Sequence, residues 1–232
     1  LKRRRIKMEL FIDDADISEI KRINDLYPVD GVTTNPTILF KAGRDPRITL
    51  QEVRNAVGND RIVFAQTVAS SAEGMVKDAH MIVELLGANT VVKIPAAEEG
   101  FKAIRILAKE GIRTCGTVVY TPMQGYLAAK AGASYVAPYV NRIDNMGYDG
   151  IGTVMKIQDI LNGCSSDCKV LAASFKNSQQ VLELAAYGIG AATAAPSVID
   201  GFVNSKAILG AVNDFQNDFE KLTGVRAMTD LK

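Results

Sequence analysis

From Met8 onward, short β-branched runs alternate with amphipathic windows, the rhythm of a parallel sheet whose strands are joined by crossover helices. The runs are MELFID (8–13), GVTT (31–34), RIVFAQTV (61–68), TVVKI (90–94), RTCGTVVY (113–120), SYVAPYV (134–140), KVLAASF (169–175) and GIGAAT (188–193). Between them, helical spacing predicts segments at 16–27, 46–58, 71–86, 97–109, 122–131, 149–162 and 177–187. SSAEGM carries Ser and Glu at capping-box spacing, and AKEGI, AKAGA and AAYGI each stop a helix at glycine. Eight βα units within 232 residues predict an α/β fold, a closed (β/α)8 TIM barrel with an additional C-terminal helix; a doubly wound open sheet is the alternative. In SKAILGAVNDFQNDFEKLTG the apolar positions Ile208, Leu209, Val212, Phe215 and Phe219 give that extra helix one sticky face, which either closes the barrel or packs on a neighbouring subunit. The expected organisation is one barrel domain over 8–222, an N-terminal extension over 1–7 and a tail over 223–232.

Composition narrows the function without naming it. A net charge of +1, with charged residues at 23% and hydrophobic ones at 47%, offers no large field for nucleic acid; the basic cluster LKRRRIK reads as an upstream extension. No apolar run reaches the roughly 18 residues of a membrane span, and no signal-peptide pattern stands out, so a cytoplasmic location is expected. Cys115, Cys164 and Cys168 are an odd set, and CSSDC has no second pair to complete a zinc site. The one histidine, His80, falls inside a helical window, which argues against histidine metal sites and Ser-His-Asp catalysis. GIGAAT lacks the third glycine and the following helix of a dinucleotide fingerprint, so Gly188 reads as a helix stop. Neither metal nor cofactor is expected.

The strand ends then carry the chemistry, because a barrel works at the C-terminal ends of its strands. Those ends hold Asp13, Thr33 and Asn35, Gln66, Lys93, Thr117 and Tyr120, Tyr139 with Arg142 beyond it, and Ser174 with Lys176 beyond it. Each alone has a plain structural reading: Asp13 as a helix cap, TTNP as a turn, Lys93 with Asp13 as a buried ion pair. Buried ion pairs bring little stability, so a whole ring of such groups points to function. Lys93 stands inside the apolar run TVVKI. A lysine at its reference pKa is neutral in only ~1 of 2,500 molecules at pH 7, and burial among apolar neighbours favours the neutral, nucleophilic amine. Such a lysine can form a Schiff base with a ketone and draw electrons from an adjacent C–C bond, a metal-free aldol cleavage. Tyr139 and Gln66 are candidates for holding a proton-shuttling water, Asp13 and Asn35 for binding hydroxyls and the carbinolamine, and Arg142 with Lys176 for a phosphate.

The segments GVTTNPTI, FAQTVASSAEGMVKDA, VVKIP, GTVVYTPMQG, YVAPYVNRID and VLAASFKN resemble the small transaldolase family, over about Met8 to Phe219, and within it the fructose 6-phosphate aldolases. The resemblance implies a (β/α)8 barrel and Lys93 as the Schiff-base nucleophile. Asp13, Thr33, Asn35, Thr117 and Ser174 would surround a bound ketose, with Arg142 and Lys176 at its phosphate. Transaldolases proper carry Glu on strand three and typically Phe on strand six; Gln66 and Tyr139 here favour an aldolase that cleaves fructose 6-phosphate to dihydroxyacetone and glyceraldehyde 3-phosphate, or runs the reverse addition. A transaldolase moving the dihydroxyacetone unit between sugar phosphates is the neighbouring reading, and a non-catalytic sugar-phosphate binder a third. The resemblance also implies a ring-shaped homo-oligomer, commonly a decamer of two pentameric rings. One departure stands out: the family's Asp-Thr-Ala-Asn after strand one is DDAD here, so Asp14 and Asp16 add charge near Asp13 unless they face solvent or cap the next helix.

Overall fold

A computed structural model describes residues 8–231, so the expected extension over 1–7 lies outside the described residues. The elements run β1 (Glu9–Asp13), α1 (Ile17–Leu26), β2 (Gly31–Thr33), α2 (Pro36–Ala42), α3 (Pro46–Val57), β3 (Ile62–Gln66), α4 (Ala72–Leu86), β4 (Thr90–Pro95), α5 (Glu98–Lys109), β5 (Thr114–Val119), α6 (Pro122–Lys130), β6 (Tyr135–Pro138), α7 (Val140–Asn145), α8 (Gly150–Gly163), β7 (Lys169–Ala172), α9 (Ser178–Tyr187), β8 (Ala191–Ala194), α10 (Pro196–Asp200) and α11 (Lys206–Thr223). All strand pairs are parallel and sequential, and β1 bonds both β2 and β8. The sheet is therefore a closed barrel, not the open doubly wound alternative, and it leaves no free edge.

Strand periodicity divides the apolar residues into two cores. Val92 and Ile94 of β4 point outward under the helices, while Val91 turns inward to pack with Phe11, Phe64, Cys115, Tyr135 and Leu171. Inside the barrel, Phe11 meets Phe64 edge-to-face at 5.0 Å and Phe64 meets Tyr135 at 5.2 Å, so the lower interior is filled, not hollow. The floor is closed by Glu9, which accepts from the Tyr135 hydroxyl at 2.9 Å and from Lys169 Nζ at 2.6 Å. With the bottom packed, chemistry is confined to the upper mouth.

The helix ends explain why the elements start and stop where they do. Asp16 caps α1 by accepting from the Ser18 and Glu19 amides, as the sequence DISE suggests. Ser71, not Ser70, caps α4, and Glu73 is drawn to Lys77 at 2.6 Å, so no reciprocal box forms there; the reciprocal capping box is at Thr121 and Gln124. Gly188 closes α9 at φ 98°, and His80 lies exposed on α4, bonded to Glu110. Three short helices were not expected: α2, α7 and α10 span 7, 6 and 5 residues. Helix α7 shortens strand six, so Tyr139 is its N-cap residue and not a strand member. Helix α11 buries none of its residues, so it does not close the barrel.

Candidate active site

The upper mouth opens into a cavity of about 190 Å³ whose wall includes Asp13, Asn35, Lys93, Tyr139, Arg142 and Ser174, six of the residues singled out from the sequence. Each arrives by strand geometry. Lys93 follows Val91 on the inward face of β4, one step above the filled interior, and is 5% exposed. Its Nζ donates to the Thr34 carbonyl at 2.8 Å, and no ion pair within 4 Å joins it to Asp13 among the described residues. The structural ion-pair reading is thus replaced by a lysine held on a backbone carbonyl beside a carboxylate.

Asp13 closes β1 and accepts from Thr33 Oγ1 at 2.6 Å, and the same hydroxyl lies 2.6 Å from Thr193 Oγ1. Part of the Asp13 side chain faces the cavity, but protein surrounds its carboxylate closely. Desolvation pushes its pKa up, while Lys93, the Thr33 hydrogen bond and Arg142 pull the other way and Asp14 adds to the rise. Across the mouth, Thr117 Oγ1 and the Tyr139 hydroxyl are 2.8 Å apart, both buried. The Arg142 guanidinium stacks over the Tyr139 ring at 4.5 Å, and Tyr120 meets that ring edge-on at 5.7 Å. Ser174 adopts φ 61°, a left-handed conformation that is uncommon outside glycine, at the rim. Asn35 Oδ1 accepts from the Ile38 amide, capping α2 while its residue lines the cavity.

Other candidates fall differently. Thr33 and Thr117 reach the site through their hydrogen bonds to Asp13 and Tyr139. Gln66 is in register with Lys93 on the adjacent strand, yet its side chain borders a separate apolar groove, and its buried Oε1 has no protein partner. Lys176 is exposed outside the cavity wall, its backbone N–H bonded to Gln180. Sequence reasoning missed Thr37, Lys41 and Thr193, which also line the cavity. Thr193 takes the last inward position of strand eight, a readable signal; Lys41 lies in a helix that the TTNP turn reading hid. The added acids do not line this cavity but face an adjoining pocket that shares Asp13, Ile38 and Lys41 with it; there Asp14 accepts from the Ala15 and Asp16 amides, and Asp16 caps α1. All three cysteines are free, with Cys115 buried in the barrel and its thiol pushed up to about 12 by desolvation. Among the described residues no group of three or more His, Cys, Asp or Glu side chains converges as a metal site, and no helix is long and apolar enough to cross a membrane.

Solved structures share the fold at low identity. A structure titled "Native KDPGal structure" superposes with a TM-score of 0.56 at 13% identity, covering 90% of this chain and 96% of that one. Dihydrodipicolinate synthase from Rhodopseudomonas palustris gives 0.52 at 15% identity, over 90% of this chain and 79% of that one. An Arg-to-Lys mutant of flavocytochrome b2 gives 0.59 at 14% identity, over 97% and 67%. These likenesses speak for the barrel alone. The family model described as transaldolase/fructose-6-phosphate aldolase matches residues 10–230, nearly the whole described chain. The chain therefore belongs to the transaldolase/fructose-6-phosphate aldolase family.

Proposed function

We propose that this member of the family is a class I aldolase that cleaves fructose 6-phosphate to dihydroxyacetone and glyceraldehyde 3-phosphate, and runs the reverse addition, through a Schiff base on Lys93. The observation that carries the reading is a lone buried amine in a polar cavity, with Asp13 beside it and the Thr117–Tyr139 hydroxyl pair across the mouth. Lys93 Nζ adds to the C2 carbonyl, and loss of water gives a protonated imine. The C3–C4 electron pair then moves into the imine while the C4 hydroxyl passes its proton to a water held at the Tyr139 hydroxyl, which relays it toward C3, and glyceraldehyde 3-phosphate departs. Protonation of the enamine at C3 and hydrolysis release dihydroxyacetone and the free amine.

Asp13 and Asn35 serve the carbinolamine and the substrate hydroxyls, with Thr33 fixing the Asp13 carboxylate. Gln66 borders the neighbouring groove and not this cavity, but it is in register with Lys93 on the adjacent strand and its buried Oε1 lacks a protein partner, and on that ground it is assigned a water that works with Tyr139. Arg142, with Ser174 and the wall residue Lys41, is the better-placed phosphate site, and exposed Lys176 is left outside it. The hydroxyl pair at Tyr139 favours aldol release over transaldolase transfer, because the enamine has a proton donor of its own. The enzyme is assigned to the cytoplasm and to a homo-oligomer, for which the uncovered apolar face of α11 is the support.

Borohydride reduction in the presence of dihydroxyacetone, followed by peptide mapping, tests the nucleophile: an adduct at Lys93 is expected, and one at another lysine, or none, sinks the mechanism. A coupled assay for glyceraldehyde 3-phosphate without added acceptor tests the reaction. Strict dependence on an acceptor aldehyde would make the protein a transaldolase instead.

A further inference from the structure

Strand β5 carries an irregularity just below the proposed relay. Its register with β6 pairs Gly116 with Val136 and then Val119 with Pro138, so Thr117 and Val118 together oppose Ala137. The extra residue is Val118, at φ 59°, a conformation that is strained for a β-branched side chain. The bulge resets the alternation. Cys115 faces the barrel interior and Thr117 the Tyr139 hydroxyl, Val119 joins the outer core, and Tyr120 turns back toward Tyr139.

One side chain grips this bulge from outside the cavity. Gln124, in the first turn of α6, donates its Nε2 to the carbonyl of Val118 at 3.2 Å and to that of Ala96 at 2.9 Å. Its Oε1 accepts from the Tyr120 amide at 3.0 Å and the Thr121 amide at 3.2 Å. The Ala96 amide in turn donates to the Thr117 carbonyl at 2.7 Å, and Ala96 stands three residues beyond Lys93. A single carboxamide thus ties the end of the lysine strand to the bulge that aims Thr117.

We propose that Gln124 is a positioning residue, holding Val118 in its left-handed conformation and so keeping the Thr117–Tyr139 hydroxyl pair aligned with Lys93. This rests on the aldol reading of Lys93. Without the two donors, Val118 relaxes toward an extended conformation, the bulge is lost, and the hydroxyl pair shifts while Lys93 keeps its own bond to the Thr34 carbonyl.

The test separates imine formation from proton transfer. Gln124→Met removes every side-chain hydrogen bond at nearly constant shape; Gln124→Glu keeps the acceptor that caps α6 and replaces the donors by an anionic oxygen facing the Val118 and Ala96 carbonyls, so it covers the case in which the Met variant fails to fold. Both are expected to trap dihydroxyacetone on Lys93 under borohydride as the unsubstituted chain does. Acceptor-free cleavage should lose ~10- to 100-fold in kcat, the scale of a misplaced proton donor, with KM within about 3-fold. Adding Val118→Gly to Gln124→Met should recover part of the loss, since glycine adopts positive φ without penalty. A kcat within about 2-fold of the parent, a loss of trapping in parallel with kcat, or a double variant no better than Gln124→Met would each overturn the proposal. If the unsubstituted chain traps nothing on Lys93, the aldol reading itself falls; if it traps and turns over while the Gln124 variants match it, only the positioning role falls.

Discussion

At the scale of single residues, Asp13 shows how the mouth trades stability for chemistry. Its pKa is raised chiefly by desolvation, so the native state holds the proton more tightly than the unfolded chain, whose value is near 3.8. An acid shifted this way contributes stability that is complete below the unfolded pKa and is lost as pH rises through the folded pKa. Asp13→Asn keeps an oxygen for the Thr33 hydroxyl and removes the charge. The variant should therefore melt higher than the parent at neutral pH, with the gap closing toward acid, while turnover falls by roughly 10-fold or more as the carboxylate is lost. Melting curves between about pH 4 and 8 check it, and a gap that does not change with pH would remove the desolvated carboxylate from the account. The neighbouring acids do not share the burden equally. Asp16 is stabilised as an anion, first by the Ser18 hydroxyl and then by the Glu19 and Ser18 amides of α1, and only Asp14 acts on Asp13.

At the scale of elements, the helix after the lysine strand is set by one missing side chain. Gly100 of α5 lies so close to the end of β4 that a Cβ there would stand 1.8 Å from the Pro95 carbonyl oxygen and 3.3 Å from Ile94 Cγ2. Helix propensity alone favours alanine over glycine by about 1 kcal/mol in a helix interior, but a backbone contact of that kind cannot relax by a rotamer change. Gly100→Ala should push α5 off the strand, lower stability by about 1–3 kcal/mol and reduce kcat, because Lys93 lies two residues before Pro95. Gly163, at the end of α8, has open space at the same position, so Gly163→Ala is the control expected to be neutral or stabilising in urea melts. The same scale explains what could be read in advance. The strands register as short runs between helical windows, although β8, AATA, holds a single β-branched residue and starts three residues later than GIGAAT suggests, and the long helices carry enough turns for their apolar period to register. Helices α2, α7 and α10 are too short for any period, and the prolines at Pro36 and Pro196, which start two of them, also fit a turn. That ambiguity hid Lys41, and the same limit let strand six run through Tyr139. The inward strand-end residues Asp13, Lys93 and Thr117 were legible because a two-residue period fixes their face. The Val118 bulge was not, since nothing in GTVVY marks where alternation breaks.

At the scale of the whole molecule, one element does not belong to the barrel. The eight strands close on themselves and their helices cover them, yet α11 buries nothing, and Ile208, Leu209, Val212 and Phe215 are between 47 and 74% exposed. Burying a side chain of that size stabilises by about 1.5–3 kcal/mol, so an eighteen-residue helix with such a face needs a partner surface. The barrel offers one: a groove of about 510 Å³ among α2, α3 and α4, lined by Leu39, Phe40, Leu50, Met81 and Leu85. A helix from a second copy would cover Phe40, which is 84% exposed, and match apolar face to apolar groove. Val212→Glu with Phe215→Glu places two charges on that face without touching the barrel. The unsubstituted chain should run in solution at a multiple of 25.0 kDa, and the double variant at 25.0 kDa with its circular dichroism unchanged. An unsubstituted chain already at 25.0 kDa would mean that α11 finds no copy of itself, and its apolar face would then have to answer to a different partner.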